Sequence, residues 1–101
     1  MEIKEFQEKT EEVINNIDKK LGCEHNPNNS FFHLSEEFGE LARELNKPNI
    51  RGEEINKKGL GNEIADVLFF ISRIATLNNL NLEKVIDNKI NELRERHSLE
   101  I

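Results

Sequence analysis

Between Asn62 and Leu77 the chain is apolar at almost every helical angle, running through Val67-Leu68-Phe69-Phe70-Ile71, yet its start carries Glu63 and Asp66. A helix that is apolar all round is covered on several sides. A carboxylate in such a helix has to be paired or coordinated, because burying an isolated charge is expensive. This segment therefore demands other helices packed around it and a partner for its acids.

The rest of the chain supplies those helices. From about Glu2 to Leu21, Phe6, Val13, Ile14, Ile17 and Leu21 recur at helical spacing, and Gly22 suits the position just past a helix end. A second helix is expected from about Asn29 to Asn46, with Phe31, Leu34, Phe38, Leu41 and Leu45 as its stripe, Asn29 as a possible N-cap and Pro48 as its stop. Residues 49–62 are charged and contain Gly52, Gly59 and Gly61, which predicts a mobile loop. The last helix is expected from about Leu82 to His97, opened by Asn81 with Glu83 in its first turn, and striped by Leu82, Val85, Ile86, Ile90 and Leu93. This pattern predicts an all-α, four-helix fold in a single domain spanning residues 1–101.

Composition narrows the function. A formal net charge of −6 argues against general nucleic-acid binding, which needs a basic surface. No apolar run approaches the ~20 residues of a membrane span. Met1-Glu2-Ile3-Lys4-Glu5 has no apolar signal core, so a cytoplasmic protein is expected. The single Cys23 cannot form an internal disulfide, and with His25 it makes too few ligands for a closed zinc site.

Glu37-Phe38-Gly39-Glu40 reads E-x-x-E and Glu63-Ile64-Ala65-Asp66 reads E-x-x-D. Residues three apart share a helix face, so each motif can aim both carboxylates at one point. Helical rotation places Glu37 roughly 80° and Glu40 roughly 140° from the mean direction of their stripe. Glu63 and Asp66 fall at about 80° and about 140° from theirs, in the same sense. Packed side by side, the two helices would focus four acids on a small volume, and the cheapest stabiliser is a hard divalent cation with oxygen ligands, Mg²⁺ or Mn²⁺. The rival readings are a solvated helix flank and carboxylate pairing with Arg43 or Arg73.

With these residues in place, the chain resembles the MazG-like, all-α nucleoside triphosphate pyrophosphohydrolases from about His25 to His97. Glu36-Glu37-Phe38-Gly39-Glu40-Leu41 is similar to the family's E-E-x-G-E-L, and Glu63-Ile64-Ala65-Asp66-Val67-Leu68 to its E-[IL]-x-D-[VL]-L, with 22 residues between Glu40 and Glu63. His25-Asn26-Pro27-Asn28-Asn29 is similar to the H-x-P-x-N lead-in of the dCTP pyrophosphatase-like branch. That branch uses tryptophans around the base, and this chain has none, so no base preference carries over. The aromatic that often ends the family's last helix is also missing after Arg96-His97-Ser98.

The resemblance implies Mg²⁺-dependent hydrolysis of a nucleoside triphosphate to monophosphate and pyrophosphate, with Glu37, Glu40, Glu63 and Asp66 as metal ligands. It makes Lys89 the phosphate-binding lysine and leaves Arg96, seven residues on and on the same face, as its companion. Asn29 would contact substrate, unless it merely caps its helix. His33, four residues before Glu37, could touch base or phosphates or simply pair with Glu37. The family's dimers and tetramers agree with the apolarity of the third helix, which would leave Phe69 or Phe70 near water in a lone chain. The role implied is nucleotide-pool housecleaning. The alternatives are phosphoribosyl-ATP pyrophosphohydrolase, on the same fold, and a catalytically silent helical protein that binds nucleotide or a partner.

Overall fold

A computed structural model of the chain describes residues 1–24 and 26–99. Among these there are four helices and no strand: α1 (Ile3–Leu21), α2 (Pro27–Arg51), α3 (Lys57–Leu77) and α4 (Leu82–Arg96). None is long and apolar enough to cross a membrane. The His25 of the expected lead-in lies outside the described residues.

Several helix ends follow the sequence expectation. Gly22 closes α1 in the left-handed region at φ 67°, and the Asn81 side chain accepts from the Lys84 N–H at 3.1 Å to open α4. Others differ, for local reasons. Asn26, not Asn29, caps α2; the two asparagines exchange side-chain-to-backbone hydrogen bonds at 2.7 and 2.9 Å, with Pro27 at the first helical position. Pro48 does not stop α2, which runs on to Arg51 and ends at Gly52 with φ 65°. A proline this near a helix end forfeits one backbone hydrogen bond. Glu44 and Lys47, half-buried beside the start of α3, hold the final turns in place.

The expected loop at 49–62 shrinks to residues 52–56. Asn56 accepts from the Gly59 N–H at 3.1 Å and starts α3 five residues before Asn62, so Gly59 and Gly61 are helical. Here the cap and the packing on α2 outweigh the low helix propensity of glycine.

α3 is the central element. α2 packs along it antiparallel, α1 packs on a neighbouring face through Phe69, Ser72, Arg73 and Thr76, and α4 folds back onto α1 and α3, while α2 packs on neither α1 nor α4. The result is flat and open, 42 × 42 × 25 Å, with a radius of gyration of 16.4 Å. A compact chain of this length would have about 13 Å. Among the described residues the buried apolar side chains are few: Ile14, Leu34, Val67 and Ala75. Where α1 crosses α3, small polar residues let the backbones approach, and the buried Thr10 and Ser72 hydroxyls bond at 2.7 Å. Next to them Arg73, only 5% exposed, reaches Glu11 at 2.5 Å and Asp18 at 3.9 Å, both on α1. Gln7 completes this joint by donating to Thr76 and to the Leu80 carbonyl and accepting from the Leu82 N–H.

The expected exposure of Phe69 or Phe70 is not what α3 shows. Phe69 meets Phe6 edge-on at 6.1 Å and Phe70 stacks on His33, and both are half-buried. The apolar residues left in water are Ile64 and Leu68, because α1 covers only the C-terminal part of that face. On α2, Leu34 and Leu41 turn toward α3 while Phe31, Phe38 and Leu45, at seven-residue intervals, stay exposed.

Candidate metal centre

The antiparallel register of α2 and α3 sets Glu37 opposite Glu63 and Asp66. Each of these half-buried residues offers one carboxylate oxygen, and the three oxygens lie within 4.8 Å of one another. Burial pushes the Glu37 carboxyl up to about 7; a hydrogen bond with Glu63 and the charges of Asp66, Glu63 and Glu40 push the same way. One oxygen of Glu63 is buried without any hydrogen-bond partner. The cluster thus holds more negative charge than its surroundings neutralise.

Glu40 does not join the trio. Its carboxylate accepts from Arg43 at 2.9 Å, on the more exposed rim, although its charge still reaches Glu37. Arginine pairing is thus seen at Glu40, while Arg73 pairs with Glu11 and Asp18 on α1.

The other expected residues lie elsewhere. Lys89 donates to Glu92 at 2.8 Å, Arg96 bonds the other Glu92 oxygen, and together they hold the Glu92 carboxyl below its usual range. Their helix, α4, does not pack on α2. The Asn29 amide is used in the cap: Oδ1 accepts from the Asn26 N–H and Nδ2 donates to the Glu24 carbonyl at 2.7 Å. His33 stands one turn from Glu37 on the acid side of α2, its ring stacked on Phe70 at 5.3 Å. That aromatic pair and the close approach of Gly59 to Glu44 were not foreseen; both become readable once the α2–α3 register is known, because each is a turn away from the acids on both helices.

A fit to a hard cation follows from the donor set. Mg²⁺ bonds of about 2.1 Å draw ligand oxygens to within roughly 3–4 Å of each other, so small side-chain rotations would close the trio around an ion. An ion would also satisfy the orphaned Glu63 oxygen. Two clefts of about 450 and 500 Å³ are bordered by α1 and lack these acids.

Fold and site together define an all-helical protein with a carboxylate cluster, on two antiparallel helices, suited to a divalent metal. The chain matches the model of the MazG nucleotide pyrophosphohydrolase domain over residues 25–99, and it belongs to that family. No curated protein and no solved structure matches it. The matched span begins after α1, so the helix carrying Thr10, Glu11 and Asp18 lies outside it.

Proposed function

We propose that this protein hydrolyses nucleoside triphosphates to monophosphate and pyrophosphate with Mg²⁺, in housecleaning of the nucleotide pool. The observation that carries this reading is the convergence of Glu37, Glu63 and Asp66, with Glu37 pushed up to about 7 and a Glu63 oxygen unpartnered. These three would hold the ion, with Glu40 released from Arg43 as the fourth ligand. When bound, the ion supplies charge neutralisation at the phosphates and acidifies a water. The chain's own share is positional: α2 and α3 hold the carboxylates in register, and burial and a hydrogen bond with Glu63 favour the protonated form of Glu37 in the metal-free site. A grip on the departing pyrophosphate by Lys89 and Arg96 would require α4, which does not pack on α2, to reach the acids and both residues to exchange Glu92 for phosphate oxygens.

The reading includes a homodimer or homotetramer. Helical rotation puts the acids on one side of the α2–α3 pair and Phe31, Phe38, Leu45, Ile64 and Leu68 on the other. Those five side chains are 44–60% exposed. A contiguous apolar strip on a flat, open chain calls for a second copy.

The decisive experiment offers a panel of ordinary and modified nucleoside triphosphates with Mg²⁺ and separates pyrophosphate from orthophosphate release. Pyrophosphate with monophosphate is expected. Orthophosphate with diphosphate would refute the bond choice, and no turnover on any member, with nucleotide still bound, would favour the silent binding protein.

A further inference from the structure

Between Asn28 and Asn49 the charged residues of α2, Glu36, Glu37, Glu40, Arg43, Glu44 and Lys47, all fall within a sector of roughly 120°. The side facing away from that sector and from α3 carries no charge, in a chain of which 34% is charged. Among the described residues α2 packs on no helix but α3. Phe31, Phe32 and Phe38 stand on the uncharged side, 60, 66 and 49% exposed. At about 200 Å² a side chain they leave about 350 Å² of aromatic surface in water, as much as the largest apolar patch of many whole monomers. Phe31 and Phe32 brace each other edge-on at 6.4 Å. The polar residues among them already bond within the helix: Ser35 donates to the Phe31 carbonyl at 3.0 Å and Asn49 to Asn46 at 3.2 Å. Gly39 lies on the same side, midway between Pro27 and Arg51 at the two ends of α2. A Cβ there would meet nothing within 4 Å, so no described neighbour requires this poor helix former. The close approach of a second helix does.

We propose that α2 pairs with the α2 of a second copy, antiparallel, about a two-fold axis passing at Gly39. A two-fold contact needs a surface that complements itself. An uncharged side meets no like charge on its own copy, and a glycine midway along the helix lets the whole side overlap. Antiparallel pairing lays the aromatic end of each helix, Phe31 and Phe32, on the slimmer end of the other, at Ala42, Leu45 and Asn46. A parallel pair would set ring against ring and leave a gap at the other end. With both copies counted, the three phenylalanines alone would bury about 700 Å², close to half of an ordinary stable interface. Leu45, Ile64 and Leu68, exposed as well, continue the same side. Glu37 and Glu40 flank Gly39 on the charged side, so the pairing braces the helix that carries them and leaves the acids clear of the contact. The proposal rests on the homo-oligomer reading above, to which it adds a contact and an orientation, and on no part of the nucleotide chemistry.

Sedimentation equilibrium over a range of concentrations, on wild type and Gly39→Leu, tests the contact without substrate or metal. Leucine is the better helix former and adds apolar surface, so on a free face it would leave melting temperature no lower and self-association no weaker. At a close helix contact it should weaken association by about 10- to 100-fold, the cost of overpacking, with the helical circular dichroism spectrum kept. Orientation is read separately, from spin labels on Ala42→Cys, Asn46→Cys or Asn49→Cys in a Cys23→Ser background, since Cys23 is exposed. Distances between like labels in the dimer should lengthen from position 42 to position 49 by about 3 Å per residue. An association unchanged by Gly39→Leu, or label distances that stay constant along the helix, would overturn the proposal and leave the homo-oligomer reading to other faces. A wild type that stays monomeric would sink both, and none of these results bears on the pyrophosphohydrolase reading.

Discussion

Glu37→Gln probes the acid cluster through stability alone. In the metal-free protein the Glu37 carboxyl titrates near about 7, far above an ordinary carboxylate, so the folded state holds its proton more tightly than the unfolded state does. Stability from this group is therefore complete below the unfolded value near about 4.3 and is lost as pH rises through about 7. Taken at face value the displacement corresponds to ~3.5 kcal/mol. Solvent reaches the half-buried cluster and screens the repulsion, which brings the expected loss to ~1–2 kcal/mol. In a chain of this size that is about 5–10 °C in melting temperature. Glutamine keeps the size and removes the charge, so the variant should lack this loss. Urea or thermal unfolding in chelator, at about pH 5 and about pH 8, reads the difference between the two proteins. Wild type should fall relative to Glu37→Gln at the higher pH, and adding Mg²⁺ should reverse the order by stabilising wild type far more. A difference that stays constant across this range in chelator would refute the crowded-carboxylate account of the site.

Asp66→Asn should preserve the helical circular dichroism spectrum, abolish stabilisation by Mg²⁺, and cut turnover beyond the ~10–100-fold typical of a group behind the ligands; full activity with Mg²⁺ would remove Asp66 from the site. Arg73→Ala should destabilise by ~3–5 kcal/mol in urea unfolding, since it removes the buried positive charge that faces Glu11 and Asp18 at the α1–α3 crossing; a cost under ~1 kcal/mol would show that solvent screens these charges. Phe38→Glu, at a position 49% exposed on the apolar strip, should lower the assembly state in sedimentation at micromolar concentration; a wild-type monomer with full activity would defeat the oligomer reading.

What local sequence could determine, it did. Helix identity came from the recurrence of apolar side chains, and the caps at Gly22 and Asn81 from residues whose backbone or side chain suits a helix end. The E-x-x-E and E-x-x-D spacings pointed to Glu37, Glu40, Glu63 and Asp66, because spacing along a helix is angle around it, and three of these four acids converge. Contacts between helices were beyond that reach. The extent of α2 past Pro48 and of α3 back through Gly59 depends on Glu44 and Lys47 meeting the start of α3, which no propensity encodes. Glu40 shares the motif but stands roughly 60° further from the stripe than Glu37, and Arg43 three residues on holds its carboxylate at the rim. The face of α3 that meets α1 was legible as apolar, but Thr10, Ser72 and the Arg73 ion pairs carry much of that contact, because only partners across the crossing make such polar residues fit to bury. His33 beside Phe70 was likewise two unrelated residues 37 positions apart until the antiparallel register of α2 and α3 laid one ring on the other.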